Sequence, residues 1–215
     1  MCIRDRDKQG GLVEANIFGT SCEYRLQLRG EHWALNSVAA AATAVVAGAS
    51  LSVATEGISL QEPISGRGNI HQCNSPKGEF TLIDETYNAS PISMKAAIRA
   101  LQEFKLKGRG RRIVVLGDML ELGSKASELH ESLSVEIIRN DVNRVFTVGD
   151  LMANLYNTLP ENIQGFHTSY SSEMTQILKE TIDANDVVLI KGSNGSKMKL
   201  LVDALLGPLS ESGAN

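Results

Sequence analysis

The sequence predicts an α/β fold in which a mostly parallel, doubly wound sheet carries the helices. Strand-like and helix-like segments alternate with little interruption after residue 80 of the 215-residue chain, and this alternation is typical of parallel sheets. Residues 112–116 form a nearly continuous apolar run, as in strands that are covered on both faces. Polar or glycine-rich turns follow three of the predicted strands. We therefore expect a sheet of about five or six strands with right-handed crossovers.

Changes in composition divide the chain into three parts. Residues 1–6 lack the apolar centre of a secretory signal, and we interpret residues 1–11 as a disordered or foreign leader. Between residues 50 and 78 the periodicity fades while Gly, Pro, Ser and Asn accumulate, which indicates a domain boundary. We therefore predict a first region at residues 12–63 and a second at residues 64–215.

The first region is predicted to combine a hairpin with a helix. Two β-like runs at residues 12–18 and 23–28 are separated by Gly19-Thr20-Ser21, a plausible hairpin turn. Residues 36–47 are almost wholly small and apolar, which predicts a helix buried on most faces and ended by Gly48.

The second region supplies the alternating elements. Ser90 can accept from the first free N–H groups of a helix, and Pro91 suits its first position. We expect Ser124 to cap the next helix and Ser171 or Ser172 to begin a later one. The other predicted elements are strands at 80–83, 112–116, 144–148, 164–167 and 186–190, a short helix at 150–157 and a last helix around 198–205.

The most polar turn follows the strand at residues 80–83. It reads Asp84-Glu85-Thr86-Tyr87-Asn88-Ala89-Ser90-Pro91. Ligands of open α/β sheets bind where strands end and helices begin. An isolated Asp or Asn in a turn more often satisfies backbone groups, but two carboxylates, a phenol and an amide in one turn favour a ligand site.

Two further turns belong to the same predicted edge of the sheet. They are Gly117-Asp118-Met119-Leu120-Glu121-Leu122-Gly123 and Lys191-Gly192-Ser193-Asn194-Gly195-Ser196-Lys197. Asp118 and Glu121 either line a ligand or simply face water. The second turn lacks the G-x-x-x-x-G-K-[ST] spacing of a phosphate loop, so we expect it to hold a carboxylate or to shape a pocket.

Two other features are candidates for anion binding. His32 and Asn36 lie four residues apart and would share one helix face near an N-terminus, although a lone His of this kind is more often packed or capping. Arg67 stands between Gly66 and Gly68, which allow close backbone approach, and a guanidinium suits phosphate. The alternative for Arg67 is an exposed loop residue in a linker.

Composition excludes several classes of protein. The net charge of −4 argues against a protein that covers nucleic-acid phosphates. No apolar run approaches the roughly 20 residues that cross a bilayer. Cys2, Cys22 and Cys73 show no metal-ligand or disulfide spacing, so we expect no metal site in this chain and a cytoplasmic location.

Five motifs occur in the order and spacing of one known family. They are Gly30-Glu31-His32-Trp33-Ala34-Leu35-Asn36-Ser37, Gly66-Arg67-Gly68, the turn at residues 84–91, Val115-Leu116-Gly117-Asp118-Met119-Leu120-Glu121-Leu122-Gly123, and Lys191-Gly192-Ser193. On these residues the chain after residue 12 resembles the C-terminal part of the Mur ligases. The Tyr-Asn-Ala and Gly-Asp-Met-Leu-Glu-Leu-Gly turns resemble the members that add D-alanyl-D-alanine to UDP-N-acetylmuramoyl-tripeptide in peptidoglycan precursor synthesis.

The resemblance implies a fold and an activity. Residues 12–63 would be the tail of a central ATP-binding domain, and residues 64–215 a Rossmann-like C-terminal domain. ATP with Mg²⁺ would activate the tripeptide carboxylate as an acyl phosphate, which the amine of D-alanyl-D-alanine attacks to form an amide. The phosphate loop, the magnesium-binding Glu, a modified lysine and the UDP-sugar domain would lie upstream. We therefore expect no catalytic residue in this chain and no ATP-dependent phosphate release by it alone.

The resemblance also implies roles for particular residues. The nucleotide would be contacted by His32, Asn36, Arg67 and either Asp84 or Glu85. The dipeptide and acceptor side would be lined by Tyr87, Asn88, Asp118, Met119, Glu121, Gly192 and Ser193. The family commonly has two Asp in the turn and Asn-Pro after the Ala, whereas this chain has Glu85 and Ser90-Pro91. The choice between the two carboxylates therefore stays open.

Two other functions remain as alternatives. One is a related ligase of the Mur or folylpolyglutamate type that adds another amino acid or glutamate. The other is a stand-alone nucleotide-binding or interaction module derived from such a domain. In each case we expect a monomer with small-molecule partners and neither nucleic acid nor a membrane span.

Overall fold

The computed structural model describes residues 2–7, 10–27, 31–62 and 64–207. Contacts divide the chain into two compact units, Met1–Ile64 and Ser65–Asn215, and each has its own hydrophobic core. The predicted strand end at Leu28, the motif residue Gly30 and the predicted boundary at Pro63 lie outside the described residues.

The first unit contains a three-stranded antiparallel sheet. Its strands, in sheet order, are β1 (Cys2–Asp7), β2 (Gly10–Ile17) and β3 (Thr20–Leu26). The predicted hairpin is confirmed, and its turn is Phe18-Gly19 with φ of 51° and 85°, the positive pair of a two-residue type I′ turn. Residues 2–7, part of the segment interpreted as a disordered or foreign leader, form β1, whose backbone pairs with β2, and a third strand stabilises an isolated hairpin.

Two helices pack on this sheet. They are α1 (Glu31–Val46) and α2 (Leu51–Ser59), and Ser50 caps α2 by accepting from the Val53 N–H at 3.3 Å. The prediction that this apolar helix is buried on most faces is wrong. Its buried residues are Ala34, Ser37 and Ala41, because α1 contacts β2 and α2 from one side only.

The second unit is built on a six-stranded sheet. Its strands are β4 (Asn69–Ser75), β5 (Gly78–Glu85), β6 (Arg112–Gly117), β7 (Arg144–Val148), β8 (Gln164–Thr168) and β9 (Val187–Lys191), in the order β4-β5-β9-β6-β7-β8. Only β4 runs antiparallel to its neighbour. The predicted mostly parallel α/β sheet is confirmed.

Helices cover both faces of this sheet. They are α3 (Pro91–Leu101), α4 (Ala126–Glu131), α5 (Leu133–Arg139), α6 (Met152–Thr158), α7 (Ser171–Thr181) and α8 (Lys199–Leu206). Residues of α3, α5 and α6 share one buried cluster with alternate strand residues such as Val114 and Leu189. Residues of α7 and α8 share the opposite cluster with Val115 and Ile190. The alternation of side chains along each strand therefore separates two cores.

Local signals account for most element boundaries. Ser90 and Ser93 form a reciprocal capping box at the start of α3, with Pro91 in its first turn, as predicted. The prediction of Ser124 as a cap is wrong, because Ser124 lies inside a 3-10 turn (Gly123–Lys125) and α4 begins without a side-chain cap.

Candidate functional site

The topology of the second unit creates a crevice at the carboxyl edge of the sheet. β9 lies between β5 and β6. The chain leaves β5 and β6 towards the face that carries α3 and α5, but it leaves β9 towards the face that carries α8. Neighbouring loops thus diverge around the end of β9, and this is where doubly wound sheets bind ligands. All three turns singled out in the sequence meet at this edge.

Asp84 is fully buried at the end of β5. Its Oδ1 accepts from the backbone N–H of Thr86 at 3.1 Å and from the Thr86 hydroxyl at 2.6 Å, and its Oδ2 faces the Lys199 ammonium at 3.0 Å. Burial, the largest single influence, would lower the pKa of Lys199, but the hydrogen bonds and negative charges of Asp84 and Asp203 together outweigh that cost and the pKa is raised. Both oxygens of Asp84 are therefore engaged within the fold.

Glu85 pairs with a buried lysine, Lys191, to which the sequence analysis assigns no role. Lys191, only 3% exposed, lies opposite Glu85 in the parallel register of β5 and β9. Its ammonium is 3.1 Å from Glu85 Oε2 and donates to the backbone carbonyl of Asn88 at 2.9 Å. Lys191 therefore links the acidic strand end to the turn that follows it. One signal was available, since Lys191 is the single charged residue of an otherwise apolar strand.

The loop that carries Arg67 lies against the same turn. The Tyr87 N–H donates to the Gly66 carbonyl at 3.0 Å, and the Gly68 N–H donates to the Asp84 carbonyl at 2.9 Å. The Arg67 guanidinium carbon lies 4.1 Å from the centre of the Tyr87 ring. The structure therefore brings together Arg67 and Tyr87, to which the resemblance assigns different ligands.

Asp118 caps a helix rather than standing free at the rim. Its carboxylate accepts from the backbone N–H groups of Met152 at 2.8 Å and Leu151 at 3.4 Å, at the start of α6. Burial raises the pKa of Asp118, although these two N–H groups oppose the shift. A Cβ at Gly149 would meet the carboxylate at 2.4 Å, so a glycine is needed beside it.

The remaining residues of this turn differ in access. The Met119 side chain is fully buried, and its N–H donates to Nε2 of the buried His130 at 3.0 Å. His130 Nδ1 lies 2.6 Å from the Ala126 carbonyl, so Nδ1 carries the proton and Nε2 accepts. Glu121 is exposed and has a φ of 64°, the left-handed region that costs a non-glycine residue about 1 kcal/mol or more.

The turn after β9 is tied to the turn after β6. The Ser193 N–H donates to the Asp118 carbonyl at 3.0 Å, and the Ser193 hydroxyl accepts from the Leu120 N–H at 3.0 Å. A Cβ at Gly192 would lie 3.0 Å from the Cα of Gly117. These two turns therefore form one unit, in which Gly192 permits close backbone approach.

His32 and Asn36 belong to the first unit. Both lie in the first turns of α1, four residues apart as predicted; Asn36 is exposed and His32 half-buried. The His32 ring centre lies 5.2 Å from a ring centre of Trp33, which is consistent with partial packing.

Metal-ligand clusters and membrane-spanning helices are both absent from the described ranges. Within residues 2–7, 10–27, 31–62 and 64–207, no cluster of three or more His, Cys, Asp or Glu could hold a metal ion. In the same ranges none of the helices has the length and apolar character to span a bilayer.

A doubly wound sheet with polar turns at its switch point defines a Rossmann-like α/β domain with a ligand-binding edge. Residues 66–194 match the family described as "Mur ligase, glutamate ligase domain". The chain therefore belongs to the Mur ligase family, as the resemblance of its motifs predicted.

Two curated relatives carry the names of ligases of this family. The chain is 32% identical over 198 residues to a UDP-N-acetylmuramoyl-tripeptide--D-alanyl-D-alanine ligase of Bacillus subtilis (strain 168), covering 90% of this chain and 42% of that protein. A ligase of the same name from Escherichia coli (strain K12) is 30% identical, with 86% and 39% covered. The chain thus spans well under half of the length of these relatives.

Two solved structures share the fold. MurF from Acinetobacter baumannii superposes with a TM-score of 0.78 at 26% identity, covering 92% of this chain and 42% of that one. MurF ligase from Thermotoga maritima in complex with ADP gives a TM-score of 0.76 at 20% identity, covering 94% and 45%. The second likeness concerns the fold alone.

Proposed function

We propose that this chain is the C-terminal part of a ligase that joins D-alanyl-D-alanine to UDP-N-acetylmuramoyl-tripeptide in the cytoplasm. The names of the relatives support this proposal. The observation that carries it is the meeting of Arg67, the Glu85–Lys191 pair and the Gly192-Ser193 turn around the switch point. We assign residues 12–63 to a central ATP-binding domain and residues 64–215 to the C-terminal domain.

The residues at the edge fit a nucleotide on one side and a dipeptide on the other. ATP with Mg²⁺ supplies the phosphoryl group that activates the tripeptide carboxylate. Arg67 offsets phosphate charge. Glu85 suits a ribose hydroxyl better than Asp84 does, because only its Oε2 is used by Lys191, whereas both oxygens of Asp84 are occupied. His32 and Asn36 are also proposed to contact the nucleotide.

The dipeptide side of the site is proposed to use the other turns. Asn88 is exposed beside the Lys191 contact and offers amide donors. The Gly192-Ser193 turn gives close backbone approach for a carboxylate. Asp118 and Met119 are proposed to hold this turn in place, because the Asp118 side chain caps α6 and the Met119 side chain is buried. Glu121 is the exposed carboxylate of the same turn.

Titration of the chain with dipeptides tests this proposal. We expect D-alanyl-D-alanine to shift the backbone amide NMR signals of Asn88 and Ser193, and L-alanyl-L-alanine, its mirror image, to leave them unchanged. Separate titration with ATP should give measurable heat. Binding of ATP with no response to either dipeptide would instead favour a stand-alone nucleotide-binding module.

A further inference from the structure

The cations at the carboxyl edge include Lys191, Lys199 and Arg67, and Arg67 is held differently from the two lysines. Lys191 faces Glu85 at 3.1 Å and Lys199 faces Asp84 at 3.0 Å, so each ammonium has a carboxylate partner. The Arg67 guanidinium instead lies over the Tyr87 ring at 4.1 Å. Within the described part of the chain no carboxylate forms an ion pair with Arg67.

A cation on an aromatic ring differs from a cation paired with a carboxylate in the charge and the hydrogen-bond donors that it keeps. A ring face attracts the guanidinium through its quadrupole at distances up to about 6 Å. It does not cancel the positive charge, and it uses none of the five N–H donors in conventional hydrogen bonds. A cation held in this way keeps its capacity to bind an anion, whereas a salt-bridged cation must first exchange its partner.

Backbone hydrogen bonds hold the segment that carries Arg67 next to the segment that carries Tyr87. Hydrogen bonds from Tyr87 to Gly66 and from Gly68 to Asp84 join the two segments on either side of Arg67. Gly66 and Gly68 have φ of 78° and 84°, a region open to glycine. A Cβ at Gly66 would lie 2.9 Å from the Tyr87 nitrogen, so a side chain there would separate the segments.

We infer that Tyr87 is a positioning residue that holds Arg67 ready for a phosphate group of the nucleotide. This moves Tyr87 from the dipeptide side, where the resemblance placed it, to the nucleotide side. The inference rests on the proposed function for its ligand. The contact between ring and guanidinium lies entirely within this chain, so it can be tested separately.

Two tyrosine variants and a matched control test the inference in the full chain. Tyr87→Leu removes the ring and Tyr87→Phe keeps it; Tyr87 is 51% exposed, so both should fold. Tyr170→Leu removes another exposed tyrosine, which immediately precedes α7. The first readout is the ring-current shift of the Arg67 side-chain NMR signals without ligand. The second is the ATP dissociation constant by calorimetry.

We expect Tyr87→Leu to abolish the ring-current shift and to raise the ATP dissociation constant roughly two- to fivefold, the factor expected of an exposed cation–π contact. Tyr87→Phe should retain the shift, and Tyr170→Leu should change neither readout. An unchanged Arg67 signal in Tyr87→Leu, or an equal loss of affinity in Tyr170→Leu, would overturn the inference. Loss of the shift in a chain that binds no ATP would support the positioning role and contradict the proposed nucleotide site.

Discussion

The two edges of the large sheet both carry buried ion pairs, yet they are built differently. At the amino edge, Arg111 precedes β6 and meets Asp186, which precedes β9, at 2.6 Å. At the carboxyl edge, Lys191 meets Glu85 at 3.1 Å. Asp186 and Lys191 are both almost fully buried, so burial and charge alone do not distinguish the two edges.

The difference lies in what the charged groups hold. Asp186 accepts from the Arg111 N–H and guanidinium and from the Asp183 N–H, and the hydrogen bond to Asp186 raises the pKa of Arg111. These hydrogen bonds join residues that precede β6 and β9 to one another. The Lys191 ammonium instead reaches a loop carbonyl where neighbouring loops diverge. A buried ion pair thus marks a ligand site only where the topology opens a crevice beside it.

The largest expected effect is at the amino edge. Asp186→Ala leaves Arg111 without its main partner and two N–H groups without acceptors. We expect the free energy of unfolding to fall by about 4 kcal/mol, measured by urea denaturation. The affinity for ligand of the molecules that remain folded should not change.

Asp183→Ala is the matched control at this edge. The Asp183 side chain is 52% exposed, and exposed ion pairs contribute about 1 kcal/mol or less. Equal losses in the two variants would show that the amino-edge cluster is not organised by Asp186.

A smaller loss of stability, joined to a loss of binding, is expected at the carboxyl edge. Lys191→Met leaves Glu85 buried without a counter-ion and should cost about 3 kcal/mol. It should also free the turn at Asn88, so hydrogen exchange at residues 87–89 should accelerate and dipeptide binding should weaken.

A second substitution separates two effects of losing Lys191: the uncompensated charge of Glu85 and the missing donor to Asn88. Adding Glu85→Gln to Lys191→Met removes the uncompensated charge and should restore part of the stability. It should not restore the ordered turn, because the donor to Asn88 is still missing. Full recovery of slow exchange at residues 87–89 in the double variant would contradict the bridging role of Lys191.

The smallest effect is a contrast in pH dependence between the edges. Burial raises the pKa of Asp118 above its ordinary 3.8, so its contribution to stability is present below pH 3.8 and is lost as the pH rises through the folded pKa. The hydrogen bond from Lys77 lowers the pKa of Asp183, so its contribution is present above pH 3.8 and is lost as the pH falls through the folded pKa.

Urea unfolding of Asp118→Asn and Asp183→Asn between pH 7 and pH 3 measures this contrast. Relative to the variant, the wild-type chain should gain stability on acidification in the first comparison and lose it in the second. Slopes of the same sign would show that the two carboxylates do not differ in this way.

Short-range patterns predicted much of the sheet and one part of the site. The apolar run of β6 and the Ser90-Pro91 start of α3 are local signals, and both are correct. The convergence of the turns at residues 84–91, 117–123 and 191–197 followed from the alternation of elements, since parallel strands share a carboxyl edge.

The rest depended on contacts that no local pattern shows. β4 lies within residues 50–78, which the composition marks as a boundary, because a polar edge strand with Cys73 as its one buried residue resembles a loop. The partners of Asp84 and Glu85 are Lys199 and Lys191, more than a hundred residues away in sequence. The capping of α6 by Asp118 likewise links separate elements.

The central place of β9 also bears on how the domain is made. This strand is the last of the six to leave the ribosome, yet it separates β5 from β6. Until β9 is synthesised, β5 and β6 each have an unpaired strand edge and exposed apolar side chains. Such edges can pair with other nascent chains and promote aggregation. The arrangement that opens a crevice in the finished domain therefore makes the growing polypeptide dependent on its final strand for protection.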